Sequence, residues 1–364
     1  MPLFDPADFR LPHGLSHVCA GGETAFLRRH DAAFARYAED KSAGAAGRDR
    51  QDAEMERARA LVAAAWAAAP GDIGFVASVA EGMSMLVESL DWQPGDVVLV
   101  DPDEYLSVVA PVALRHRAEL RFAPMAEPEA VARACTGRVR MLAVSHVSYL
   151  TGRRFDLAAL RRIADAHGAL LVVDHTQAAG YLPIDAPLAD FAFSACYKWL
   201  LGMTGTAIAY WNRARQPAWA PATAGWFSVA SMARPDYAAG LQLRPDALRF
   251  TRGNPSHAGL YVLASALDYL AGFPDIAAHV QGLTTALHAR LAAAGIASTT
   301  PADPRLHGAS VCIAHPEAGR LCAALAERGV LAWNGRGRVR FSFHGYNDLG
   351  DVECLAGALR GLLG

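Results

Sequence analysis

The stretch Phe155–Gln177, FDLAALRRIADAHGALLVVDHTQ, decides how the chain is to be read. Asp156 carries the short carboxylate that accepts an amide N–H at the start of a helix. After it, Leu157, Leu160, Ile163 and Ala164 recur at the spacing of one helical face. Gly168 ends the helix, because glycine takes the left-handed conformation of a helix stop without a steric penalty. ALLVV then reads as a strand that is apolar on every residue and closes on Asp174. Strands lose their in–out alternation only when both faces are covered, so this is a unit of a parallel α/β sheet.

The same alternation extends outward. Upstream, Asp52–Ala69 is an expected helix stopped by Pro70-Gly71, IGFVAS (73–78) a strand, and Glu81–Leu90 a helix. VVLVD (97–101), ELRFAP (119–124) and RMLAVSHVS (140–148) are further strands; downstream, FAFSA (191–195) and GTAIAYW (205–211) add two more. A long helix over Ala258–Ala271 follows, then helix and strand pieces to the end. This predicts a doubly wound large domain over residues 18–273 and a smaller α+β domain over 274–364. Residues 1–17 are expected on the small domain or the rim of the site. No internal repeat or flexible linker interrupts the chain.

The 364 residues are 52% hydrophobic and 19% charged, which describes a globular protein. A net charge of -2 predicts neither nucleic acid nor an anionic membrane as partner. No run approaches the ~20 apolar residues of a membrane span, and MPLFDPADFRLPHGL lacks the pattern of a secretory signal. Six cysteines without a CxxC pair and dispersed histidines predict a cytoplasmic protein without disulfides or a metal site.

Chemistry enters with FSACYKWLLGMTGTAIAYW (193–211), where Lys198 stands between two apolar runs. A buried ammonium is costly, so Lys198 either marks a turn that surfaces or carries an amine meant for reaction. Asp174, at the end of its strand, is either a helix cap or a site residue, since parallel sheets bind ligands at their strands' carboxyl ends. Together the two meet the needs of a pyridoxal phosphate enzyme: a lysine to form the Schiff base and a carboxylate to keep the pyridine nitrogen protonated. FVASVAEGMSML supplies a strand followed by a helix N-terminus at Val79–Glu81, a cradle for phosphate. Tyr105, after VVLVDPDE, is a ring placed to stack, or an ordinary half-buried loop tyrosine.

DHTQAAGYLPID and ADFAFSACYKWLLGMTG resemble the aminotransferase class V family of pyridoxal phosphate enzymes, from about residue 70 to the end. That resemblance implies the fold type I architecture, a large domain with a mainly parallel sheet plus a smaller C-terminal α+β domain, in a homodimer with sites at the interface. It implies that Lys198 anchors the cofactor, Asp174 pairs with the pyridine nitrogen, Gln177 contacts the ring hydroxyl and Tyr105 stacks. Amides at Val79, Ala80 and Glu81, with Tyr197 and Trp226, would hold the phosphate, and Arg340, inside VRFSFHGYNDLGDVE, would clamp the substrate carboxylate. Tyr197 before the lysine, HVSYLTG (146–152) and GWF (225–227) are similar to kynureninase; the segment around Arg340 is similar to the desulfurase and lyase branches.

The departures are as informative. Ala80 stands where relatives often have threonine, and Asn254 replaces the threonine that reaches the neighbouring subunit's phosphate. GVLAWNGRGRVRF (329–341) has no cysteine where desulfurases carry their nucleophile. Cys196 reads as packing, His175 as a satisfied polar residue, and the loop over residues 17–24 as a substrate contact. These features predict cleavage at the β-carbon of a small L-amino acid without a persulfide, as a kynureninase-like hydrolase or a carbon–sulfur lyase. Amino transfer and epimerisation are the alternatives, and a binding protein without turnover is disfavoured by the intact Lys198, Asp174 and Arg340. No G-x-G-x-x-G follows a strand, which speaks against a nicotinamide enzyme.

Overall fold

The computed structural model describes residues 1–114, 118–231 and 240–363. The first short strand β1 (Ser16–His17) is followed by α1 (His30–Ser42), α2 (Gly44–Ala65), β2 (Ile73–Val76) and α3 (Val79–Ser89). Then come β3 (Asp96–Val100), α4 (Leu106–Ala113), β4 (Ala118–Phe122), α5 (Pro128–Ala134), β5 (Arg138–Ser145), α6 (Leu157–Ala166) and β6 (Leu170–Asp174). β7 (Phe191–Ala195), β8 (Ala207–Trp211) and α7 (His257–Leu270) complete the large layer. The C-terminal part holds α8 (Ile276–Ala293), β9 (Ser310–Ala314), α9 (Ala318–Ala326), β10 (Val330–Leu331), β11 (Trp333–Gly335), β12 (Arg338–Ser342) and α10 (Leu349–Leu363).

Seven strands form one sheet in the order β2-β8-β7-β6-β5-β3-β4. Successive residues of each strand feed opposite faces, as the two-residue strand period requires. Val97 and Leu99 join α2, α6 and α7 on one side, whereas Val98 and Val100 join α3 and α4 on the other. Strands wrapped this way are buried on both faces, which explains their unbroken apolar runs. Asp156 does accept the Ala159 amide at 2.9 Å, and Gly168 takes a φ of +62° just beyond α6.

The structure corrects several expected elements. β8 runs antiparallel to both β7 and β2. The connection from β7 carries no helix, and a parallel return needs a crossover of about a dozen residues or more. Residues 77–78 are not strand: Ser78 caps α3 by accepting the Glu81 amide at 3.1 Å, so the helix starts at Val79. α2 begins at Gly44, and α1 went unread, because alanine and charge are spread around both helices without a clean stripe.

α3 lies so close to β7 that a Cβ on Gly82 would sit 2.4 Å from the Phe193 ring. Gly82→Ala is therefore expected to lower stability by about 1–3 kcal/mol through overpacking. Gly282→Ala, on α8 with no neighbour in the way, should hold or raise it. Chemical denaturation of the two variants against the parent protein checks this.

The smaller C-terminal domain is a β11-β12-β9 antiparallel sheet with α8 and α9 packed on it and α10 against those two helices. Its cluster includes Leu287, Val311, Leu325, Phe341 and Leu355, together with Val18 from the N-terminal segment. That segment is tied in by the parallel pair β1–β10 and by Ser342 N–H donating to the Val18 carbonyl at 2.7 Å. β11 and β12 meet at Gly335 and Arg338, leaving Arg336 and Gly337 as a two-residue turn with φ of +51° and +69°. No helix among the described residues is long and apolar enough to cross a membrane, and among them no cluster of three metal-binding side chains occurs.

Candidate active site

Lys198 sits in the loop that joins β7 to β8. The turn is closed by Leu201 N–H on the Lys198 carbonyl and by Gly202 N–H on the Cys196 carbonyl. Leu201 has a φ of +57°, and its carbonyl faces the buried His30 ring nitrogen at 2.8 Å. The lysine is buried, 7% exposed, and among the described residues no carboxylate lies within ion-pair distance. Burial pulls its amine down to about 8; Arg340 pushes the same way, while Asp174 and Glu23 oppose it. The rings of Tyr197 and Tyr105 lie 5.4 and 5.8 Å from Nζ. This is an uncommitted amine held near neutrality.

Asp174 ends β6 beside Ser145 of β5. Its Oδ1 accepts the Thr176 amide at 2.8 Å, and burial raises its carboxyl although Lys198 works against that. Behind it, Glu104 accepts from the Ser145 amide at 2.7 Å, the Ser145 hydroxyl at 2.5 Å and the Tyr105 amide at 2.6 Å. Burial, with Asp174 nearby, pushes the Glu104 carboxyl up to about 7. Glu104 thus fixes the backbone of the tyrosine that faces Lys198, a role the sequence reading missed. His175 and His146 face one another through Nδ1 at 3.2 Å, and His175 Nε2 is buried with no partner among the described residues. The expectation of a satisfied His175 is corrected: one ring nitrogen is paired and the other is not.

Lys198 and Arg340 open into one cleft of about 250 Å³, walled also by Tyr105, Tyr149, Tyr197 and the turn Gly21–Glu23. Arg340 is 3% exposed; it donates to the Tyr149 carbonyl at 2.8 Å, and its Nε is buried without a partner among the described residues. Burial lowers its guanidinium to about 10. Gly21 packs against Arg340 and Ser342 so closely that a Cβ would meet Ser342 Oγ at 2.7 Å. Gln177 also lines the cleft, but both ends of its amide are taken: Nε2 donates to the Gly21 carbonyl at 3.0 Å, and Oε1 accepts from Trp199 at 3.1 Å. It pins the N-terminal turn over the lysine.

Other expected site residues stand elsewhere. The Glu81 amide is occupied by Ser78, and its carboxylate turns back to the Ala77 amide at 2.6 Å, which leaves Val79 and Ala80 as the open amides of that helix end. Asn254 accepts from Arg48 at 3.2 Å and lines a recess with Ala77, Glu81 and Thr206. Trp226 is 46% exposed beside Asp52 and Arg244, because the neighbouring Phe227 takes the buried position. Neither reaches the Lys198 cleft of its own protomer. Tyr149, Trp333, Arg336 and Arg338 line that cleft and were not anticipated.

The donor set suits pyridoxal phosphate. It has a buried, unpaired amine for the aldehyde, a buried carboxylate close enough to that amine to shift it, and a guanidinium with an orphaned N–H. The family model described as aminotransferase class-V matches residues 27–355. The chain belongs to the aminotransferase class-V family. Members of this family are pyridoxal phosphate enzymes, and this class-V enzyme has the cofactor's fold around its lysine. A probable cysteine desulfurase of Methanothermobacter thermautotrophicus is 26% identical over 343 residues, 85% of this chain and 84% of that protein. The apo structure of the cysteine desulfurase of Thermococcus onnurineus NA1 superposes with a TM-score of 0.89 at 22% identity, over 98% of this chain and 97% of that one. A cystine C-S lyase, C-DES, in complex with its reaction product cysteine persulfide, gives 0.86 at 19% identity, over 96% and 98%.

These relatives overturn the expected chemistry without a persulfide. The β11–β12 hairpin does leave no cysteine loop in front of Arg340. But a missing cysteine at one position does not decide whether sulfur is handled, and proteins named cysteine desulfurases are what this class-V chain resembles over most of its length. The weight placed on kynureninase-like Tyr197 and HVSYLTG is withdrawn with it.

Proposed function

We propose that this class-V enzyme removes sulfur from the side chain of cysteine, as its desulfurase relatives are named for doing. The observation that carries the reading is the sharing of one cleft by an unpaired lysine amine and a buried arginine with an open N–H. Arg340 would bind the α-carboxylate, for which a planar fork of donors is suited. Once free, the Lys198 amine would take and return the proton at the α-carbon, helped by an affinity for protons near neutrality. Tyr105 would cover the site, held by Glu104, and Asp174 would keep the pyridine nitrogen protonated. Bound pyridoxal phosphate supplies the electron sink for the negative charge left on the α-carbon.

The sulfur then goes to a thiol. The carbon–sulfur bond breaks, a sulfur–sulfur bond forms to the accepting thiol, and the carbon takes up a proton to give alanine. Cys19 belongs to the same N-terminal turn as Gly21 and Gly22, and its Sγ lies 3.4 Å from the His17 ring. It is the first cysteine to examine as acceptor. The exposed Trp226 and Asn254 favour a homodimer in which each protomer completes its partner's site.

Incubation with L-cysteine and a dithiol reductant should release sulfide and alanine in equal amounts over many turnovers. Without the reductant, mass spectrometry of the six cysteines should find one carrying an added sulfur. A keto acid formed with no sulfide would sink the proposal.

A further inference from the structure

Cys19 begins the turn whose Gly21, Gly22 and Glu23 wall the Lys198 cleft, and the Gly22 and Glu23 amides donate to its carbonyl at 2.8 and 3.0 Å. It bridges to Ser342, two positions beyond Arg340 on β12, and its thiol is partly exposed. Burial pushes that thiol up to about 12; Cys322 on α9 and Glu23 add to the rise, and Arg340 opposes it. A thiol held this way stays protonated at working pH. It becomes a nucleophile when a base beside it takes the proton in the act.

His17 stands where that base must. Cys19 Sγ lies 3.4 Å from His17 Nε2 and 3.8 Å from Nδ1, so Nε2 is the nearer nitrogen. Nδ1 lies 3.1 Å from the Tyr346 hydroxyl, which lies 3.2 Å from the Thr24 hydroxyl. Asn347 Nδ2 donates to the His17 carbonyl at 3.0 Å, and the Tyr346 ring meets the imidazole edge-on at 5.6 Å. Burial lowers the proton affinity of the ring, against the pull of Asp351 on α10, so the imidazole is neutral near pH ~7. His17 and Tyr346 also line a recess of about 480 Å³, separate from the cleft.

We infer that His17 is the general base of Cys19, with Tyr346 holding the ring hydrogen on Nδ1 so that Nε2 is free to take the thiol proton. This rests on the proposed desulfurase chemistry and supplies its missing proton step. Cys19 Sγ bonds to the substrate sulfur, and the carbon–sulfur bond breaks with its electron pair going to the carbon. The carbon takes up a proton to give alanine, while the proton of Cys19 passes to His17 and on to solvent. No outside oxidant is needed, because the carbon is reduced as the sulfur is oxidised.

The test is alkylation of holoenzyme by iodoacetamide, followed at Cys19 by mass spectrometry. In the parent protein the rate should change less than ~2-fold between pH ~7.5 and ~9.5, since the proton moves from thiol to imidazole and solvent hydroxide is not required. His17→Gln keeps a polar group facing Sγ but is no base. It should lose at least ~10-fold at pH ~7.5 and then climb ~10-fold per pH unit. Tyr346→Phe should lower the plateau ~2–10-fold and leave it flat. After L-cysteine without reductant, the added sulfur should sit on Cys19 in the parent protein and fall at least ~10-fold in His17→Gln. A parent rate that climbs ~10-fold per unit overturns the inference whatever the variants do, as does an unchanged rate in His17→Gln. Sulfide release with the added sulfur on another cysteine overturns it and leaves the desulfurase reading standing. A flat, His17-dependent rate without sulfide from L-cysteine supports His17 as the base and removes the desulfurase reading.

Discussion

Lys198→Ala is expected to yield a folded protein that holds no covalent cofactor and loses at least ~10³-fold in turnover. The proposed function gives the residue two tasks, anchor and proton carrier, and its burial, with no counter-ion among the described residues, suits both. Lys198→Arg should fail as badly, since a guanidinium keeps the charge but offers no neutral nitrogen at any working pH. The sign of the shift gives a sharper check. Because burial lowers the amine to about 8, the neutral form grows ~10-fold per pH unit below that value and saturates above it. Capture of pyridoxal phosphate by the apoprotein, followed by absorbance, should rise with pH and flatten near there. A rate still climbing steeply beyond pH ~10, where a solvent-exposed lysine titrates, would remove the desolvated environment from the account.

Asp174→Asn should bind the cofactor and keep the fold, yet lose ~10²–10⁴-fold in turnover. The amide keeps an acceptor for the Thr176 amide but cannot carry the negative charge that stabilises a protonated pyridine nitrogen. Loss confined to kcat, with melting temperature and cofactor content unchanged, separates this from a structural role. Activity within a few-fold of the parent would reduce Asp174 to a cap on the turn after β6.

Both residues were legible because each breaks a local rule. Lys198 interrupts an apolar run, and Asp174 ends one. Arg340 was legible from its place in an alternating strand. What escaped depends on partners far away in the chain. Glu104 matters because β3 and β5 are neighbours in the sheet, which sets its carboxyl on Ser145. Tyr149 joins the site because Arg338 and Arg340 take hold of its carbonyl. WNGRGR reads as a polar turn, and only the register of β11 with β12 reveals Arg336 in a left-handed conformation. The direction of β8 was hidden for the same reason: an apolar run does not say which way it pairs. Relatives overturned the expected chemistry because a local departure, the missing cysteine, was given more weight than the similarity of the whole chain.

The pairing of β1 with β10 has a consequence for biosynthesis. Ser16 meets Val330, and Gly21 takes its place against Arg340 only when β12 exists. The chain from Ser16 to Val330 must leave the ribosome before β1 can pair with β10, and contacts between such distant residues form late and slowly. The sheet follows the same timetable on one edge, where β2 waits for β8. A nascent chain therefore carries Lys198 under an unfinished roof. The roof closes with the last strands, so a release from synthesis just short of them leaves a sheet without a working cleft.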